Sequence, residues 1–193
     1  MVADRFAECF VVARIMQRLF KCGSGDSDRL SGDAHDNVLD GGAGNDTLIG
    51  GGGHDSFVGG LGNDTIVAAN ETEIANADGG AGDDILKLTG TGMAFDVASL
   101  VSKVQNIETL DLRGGAAGAT IDINALSLQS ITDGRADLSI VVDHGATVNI
   151  GSSYAVTADF SNPDTSHETD YALYASADHS VAAIAHLHVM TGP

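Results

Sequence analysis

An all-β fold built from short repeated units is what this sequence predicts, and three observations predict it. Gly41–Val67 reads GGAGNDTLI, GGGGHDSFV, GGLGNDTIV, three contiguous copies of Gly-Gly-x-Gly-x-Asp-x-U-x in which U is apolar. A fixed internal period of this kind decides the architecture before any other signal is considered. The composition agrees: Gly 25, Pro 2, aromatics at 5% and no Trp argue against a core of large side chains. Stacked rungs need only one modest apolar residue per strand. Beyond Lys87 the glycine period is lost, yet short runs such as Thr-Leu-Asp-Leu and Thr-Ile-Asp-Ile alternate apolar and polar residues, the pattern of half-buried strands.

Each position of the unit has a physical role. Glycines at positions 1, 2 and 4 admit positive φ and close backbone approach, so the first six residues form a tight turn. Backbone carbonyls and the position-6 carboxylates, Asp46, Asp55 and Asp64, then face one point. Hard oxygen donors crowded at a turn suit calcium, which takes six to eight of them. The closing triplets, Thr-Leu-Ile, Ser-Phe-Val and Thr-Ile-Val, read as short strands with Leu48, Phe57 and Ile66 inward. Position 7 (Thr47, Ser56, Thr65) and position 9 (Ile49, Val58, Val67) face outward. The apolar position 9 reflects either ordinary β-propensity on a sheet surface or contact with another segment or chain.

This unit resembles the glycine-rich nonapeptide repeat of the repeats-in-toxin (RTX, hemolysin-type) family of secreted bacterial proteins. The resemblance implies a parallel β-roll in which two repeats make one coil. It places calcium between loops stacked on the same side, that is, each repeat and the next but one. The same register extends both ways. GSGDSDRLS (23–31) puts Asp28 at position 6, GDAHDNVLD (32–40) puts Asn37 there, and GGAGDDILK (79–87) puts Asp84 there, after an insertion at 68–78. The expected calcium ligands are therefore Asp28, Asn37, Asp46, Asp55, Asp64 and Asp84, with the turn glycines Gly42, Gly44, Gly51, Gly53, Gly60 and Gly62. Alternate stacking aligns Asp28, Asp46 and Asp64 on one edge and Asn37, Asp55 and Asp84 on the other. The intact turns 41–46 and 59–64 should make the best-formed site. Sites that involve 23–28, with its missing glycines, or Asn37, with its missing charge, should be weaker. The insertion weakens the expected site between 50–55 and 79–84.

Three segments follow: 1–22, 23–87 and 88–193. Residues 1–22 hold four of the nine basic residues and both cysteines. Their apolar spacing fits a short helix with a broad apolar face, read as a plug for the open end of the roll, a membrane-surface helix, or the remnant of a larger chain. They make a poor secretory signal, because Glu8 and Arg14 interrupt the apolar run. Cys9 and Cys22, thirteen apart on a helix, are expected as free thiols. Residues 88–193 should continue the roll as an irregular β-solenoid or sandwich-like capping region. Its strands are expected near 107–112, 120–123, 138–142, 147–150, 154–160, 171–176 and 181–190, closed by a hairpin at Tyr171–Met190, with one short helix at Ser99–Gln105. The stretch Asn106–Gly115 and the strands after it resemble the segment that often follows RTX repeats in large adhesin-like proteins.

A net charge of −18 disfavours nucleic acid and anionic membranes as partners, and no apolar run is long enough to span a bilayer. Calcium ions are the expected partners and calcium the expected cofactor, with self-association or contact with the rest of a larger secreted protein as further possibilities. No nucleophile elbow, phosphate loop or zinc-protease helix is present. His186 and His188 share a strand face, a spacing that either chelates a transition metal or is structural. The chain is expected to be no enzyme. The reading is a calcium-dependent folding module of a secreted, extracellular RTX protein, structural or adhesive. The alternative is the C-terminal secretion and folding domain of an RTX exoenzyme (protease, lipase or epimerase) whose catalytic domain lies elsewhere. The family's route is type I secretion, although HLHVMTGP at 186–193 departs from its C-terminal export signal.

Overall fold

Within the repeats, glycine turns alternating with three-residue β-branched runs leave no stretch long enough for a helix, and the chain instead lays one short strand per half-turn on alternate faces. The computed structural model describes residues 19–90, 94–96, 99–100, 102–113, 120–123, 137–142, 147–150, 155–159, 168–174 and 185–191. One face stacks β1 (Phe20–Cys22), β3 (Val38–Ala43), β5 (Asp55–Leu61), β7 (Ile74–Ala81) and β10 (Val104–Gln105), every pair parallel. The opposite face stacks β2 (Arg29–Ser31), β4 (Thr47–Ile49), β6 (Thr65–Ala68), β8 (Ile85–Leu88), β11 (Thr109–Asp111) and β13 (Asp137–Val142), again parallel. This is the expected parallel β-roll, an all-strand solenoid.

The core is two ladders of position-8 side chains. Leu39, Phe57, Ala77 and Val104 face inward from one sheet and Leu48, Ile66, Leu86, Leu110 and Ile140 from the other, all buried. At the N-terminal end the first ladder closes in a polar residue. Lys21 takes the inward place opposite Leu39, and its Nζ donates to the Ser31 carbonyl of the other sheet.

Beyond the glycine repeats the turns lengthen. The step between stacked residues is 18 within the repeats, 20 from Asp64 to Asp84, and 24 from Lys87 to Asp111. The extra length adds a third parallel sheet, β9 (Ala94–Asp96), β12 (Thr120–Ile123) and β14 (Thr147–Ile150). The second face is extended by β17 (Ala185–Thr191), parallel to β13. After it come β16 (Glu168–Tyr174) and β15 (Ala155–Asp159) as an antiparallel meander. The strands expected after Lys87 are found, and β16 with β17 is the expected hairpin.

Several expectations change. Residues 1–18 of the expected N-terminal helix lie outside the described residues, while Phe20–Cys22 form strand β1. Cys22 is disulfide-bonded, not a free thiol. The helical spacing on which the free thiol was argued does not reach Cys22; Cys9 lies outside the described residues. The helix expected over Ser99–Gln105 gives way to strand at Val104–Gln105. Lys103 N and Val104 N both donate to Leu100 O, closing one turn that delivers Val104 into β10. The 68–78 segment is a diverged half-turn, not an insertion. It stacks Ala77 on Phe57 and Asp78 on Val58; one of its two extra residues lies before Ile74, which pairs with Asp55, and the other is taken up by the register shift between Asp55 and Ser56. Among the described residues, no helix is long and apolar enough to cross a membrane.

Candidate functional site: two columns of turn oxygens

The turns between sheets stack into two columns, one along each edge of the roll. In the first, each position-6 carboxylate accepts the backbone N–H of its counterpart one turn earlier. Asp28 N donates to Asp46 Oδ1, Asp46 N to Asp64 Oδ1 and Asp64 N to Asp84 Oδ1, each at 2.7 Å. The second column repeats the device, with Asn37 N donating to Asp55 Oδ1 at 2.8 Å. These bonds use one oxygen of each carboxylate to pin neighbouring turns together.

The other oxygen is different. Oδ2 of Asp46, Asp55, Asp64 and Asp84 is buried and has no hydrogen-bond partner. An unpaired buried carboxylate oxygen is costly, and a native fold that repeats it four times implies a missing positive partner. The space around it is shaped by the position-1 glycine. A β-carbon on Gly59 would lie 2.4 Å from Asp64 Oδ2 and 2.3 Å from Gly79 O; on Gly41 it would lie 2.5 Å from Asp46 Oδ2 and 2.6 Å from Gly59 O. Carboxylate and carbonyl oxygens thus converge in a cradle that any side chain would fill. The six turn glycines named from sequence, Gly42, Gly44, Gly51, Gly53, Gly60 and Gly62, all have φ between 90° and 118°. At Gly60 a β-carbon would also meet Gly42 O at 2.1 Å, so only glycine lets these turns stack.

The degenerate turns lack the orphaned oxygen. Asp28 Oδ2 accepts from Ser24 N at 2.6 Å and Ser24 Oγ at 2.8 Å, and these bonds hold its carboxyl below the usual range. Asn37 Oδ1 accepts from Asp33 N at 2.6 Å. In the intact turns burial pushes Asp46, Asp55 and Asp64 up and carries Asp84 to about 6. Neighbouring carboxylates push the same way: Asp28 and Asp40 on Asp46, Glu73 on Asp55, Asp46 on Asp64, Asp64 and Glu108 on Asp84.

No group of three or more His, Cys, Asp or Glu side chains that could hold a metal occurs among the described residues. A cation held here would therefore take about one carboxylate per turn and draw its remaining ligands from carbonyls. That all-oxygen donor set fits calcium and not zinc or copper. The residues that could hold it are Asp46, Asp64 and Asp84 with the carbonyls of Gly59 and Gly79 in the first column, and Asp55 in the second.

One placement is corrected. Asp84 was expected on the edge of Asn37 and Asp55; it lies on the edge of Asp28, Asp46 and Asp64. Because 68–78 fills a half-turn of its own, the alternation of sides is preserved across it. In the second column the carboxylate after Asp55 is Glu73, whose Oε2 accepts from Ala69 N at 2.8 Å, the same four-residue reach as Ser24 to Asp28. Glu73 and Glu108 were missed because neither follows a glycine turn. A position-5 ladder was missed too: Asn45 N donates to Ser27 Oγ, Asn63 N to Asn45 Oδ1 and Asp83 N to Asn63 Oδ1. The signal was the run of small oxygen-bearing residues at that position. His186 and His188 pair through β17 with Asp137 and Ser139 of β13.

The family model of the RTX calcium-binding nonapeptide repeat (4 copies) matches residues 23–48 and 31–66. Comparison with curated proteins and with solved structures gives no match. Residues 23–66 are thus similar to RTX nonapeptide repeats, a repeat type whose ion is calcium.

Proposed function

We propose that the chain is a calcium-dependent folding module of a secreted bacterial protein, structural or adhesive and not catalytic, and that the stacked turns from Gly41 to Asp84 carry its principal ions. The observation that carries this reading is the repeated, buried and unpartnered Oδ2 of Asp46, Asp64 and Asp84 in one column and of Asp55 in the other. Calcium supplies the positive charge and the demand for six to eight oxygens that this arrangement lacks. Asp46 and Asp64, between the intact turns, form the strongest pair. Asp28 is weaker, because Ser24 already satisfies it, and Asn37 brings no charge.

The chain's own residues explain why folding would follow the ion. Each rung buries one modest apolar side chain per strand, too little to offset the ordering of its turns alone. The aspartates stacked along an edge repel one another when ionised. Ion binding and folding then form one equilibrium. A chain of net charge −18 would remain unfolded where calcium is scarce, pass a type I exporter, and fold outside the cell.

Equilibrium dialysis against calcium at physiological magnesium tests the reading. Several ions should bind with half-saturation of order 10⁻⁴ to 10⁻³ M, the range of extracellular modules. No binding at millimolar calcium would refute it.

A further inference from the structure

The first column of oxygens continues past the last glycine turn. After β10 the chain makes the turn Asn106–Glu108, which contains no glycine and lies beyond residues 23–66. We infer that this turn, with Asp84, forms one further calcium site at the C-terminal end of the column, in which Glu108 replaces the repeat's aspartate and the Asn106 carbonyl replaces that of its first glycine. The inference rests on the reading that the column upstream binds calcium.

Three features of the turn reproduce the repeat. Asp84 N donates to Glu108 Oε2 at 2.8 Å, extending by one step the ladder that joins Asp28, Asp46, Asp64 and Asp84. Asn106 O lies 2.0 Å from where a β-carbon on Gly79 would sit, and Asp84 Oδ2 lies 2.7 Å from the same point. Gly79 O and Asp64 Oδ2 meet in this way at Gly59, as Gly59 O and Asp46 Oδ2 do at Gly41. Asp84 itself is 1% exposed, and its Oδ2 has no partner.

The turn is also held in the necessary shape. Asn106 has φ of 55°, a left-handed conformation that the repeats reserve for glycine and that asparagine tolerates best among side-chain-bearing residues. Asn106 Nδ2 donates to Asp78 Oδ1 at 2.8 Å, fixing the residue against β7. Glu108 N and Thr109 N both donate to Asp84 O, at 3.1 and 3.0 Å, which clamps the two turns together. A neutral acceptor would satisfy Asp84 N equally well. A second carboxylate brought against a buried aspartate is instead the arrangement that a divalent cation requires.

Crystals of the whole chain grown in calcium give the direct test, by anomalous scattering at long wavelength. A peak is expected between Asp84 and Glu108, in line with peaks between turns 41–46, 59–64 and 79–84. Peaks between the upstream turns alone would overturn this inference and leave the function proposed above intact; no peak anywhere would overturn both. In solution, Glu108→Gln keeps an acceptor for Asp84 N and removes the charge. Counted at saturating calcium, with the fold checked by circular dichroism, it should hold one ion fewer than the wild type. An unchanged count with an unchanged half-saturation would make Glu108 a structural acceptor only. If the variant does not fold, the anomalous map of the wild type decides.

Discussion

Asp64 shows how one side chain serves two purposes. Its Oδ1 is committed to Asp46 N, while its Oδ2 is buried without a partner. Asp64→Asn keeps an acceptor for the first and removes charge from the second. The calcium concentration for half-folding should rise about tenfold or more, since affinity at such sites follows ligand charge. In EDTA the variant should show no less β-structure than the wild type. An unchanged calcium midpoint would show that Asp64 does not bind the ion. Protons probe the same oxygens. With no metal, burial raises Asp84 to about 6, so the folded form binds protons that an unfolded carboxyl near 3.8 releases. Stability of the metal-free roll should therefore be highest near pH 4 and fall as pH rises to about 6, by up to about 3 kcal/mol from Asp84 alone. Calcium competes with those protons, so with calcium present acidification should weaken the fold. Circular dichroism at pH 5 and 7.5 should show acid adding β-structure in EDTA and removing it in calcium; changes of the same sign would contradict the assignment. At this scale the six position-6 residues were legible because the glycine spacing marks them. Glu73 and Glu108 were not, because a carboxylate stacked by a turn without glycine leaves no period to read.

Single strands here are only a few residues long, and each depends on the inward residue at position 8. Phe57 is fully buried between Leu39 and Ala77 of the neighbouring turns. Phe57→Ala should cost about 3–5 kcal/mol in calcium, whereas Leu61→Ser, at a position 63% exposed, should change stability by less than about 0.5 kcal/mol. Equal effects in a denaturant melt would mean that the inward ladder is misassigned. Beyond the repeats, charge joins one strand to the next. Lys87 Nζ and Arg113 Nε contact opposite oxygens of Asp111 at 2.9 Å. Burial opposes the Asp111 charge, but hydrogen bonds from Arg113 and Lys87 outweigh it and hold the carboxyl down to about 2. The strand positions from Thr120 to Met190 were legible through alternation and turn residues. The placement of 68–78 was not. Its first six residues carry no glycine, and one of its two extra residues vanishes into a register shift that only the paired strands reveal.

Taken whole, the molecule is a stack whose two edges are lined by carboxylates and whose core is one side chain deep. Its parallel order follows from the repeat period, because equal half-turns must return each strand to the same face. The growth of the step from 18 to 20 to 24 residues follows from no period, and with it comes a third sheet that composition alone does not foretell. The central claim is that the edges need calcium before the core can form. Far-ultraviolet circular dichroism of the whole chain through a calcium titration, starting in EDTA at pH 7.5, tests it most directly. The account predicts little β-structure at the start and a cooperative gain centred between about 10⁻⁴ and 10⁻³ M calcium, not reproduced by magnesium. A β-spectrum in EDTA as strong as that in millimolar calcium would contradict it.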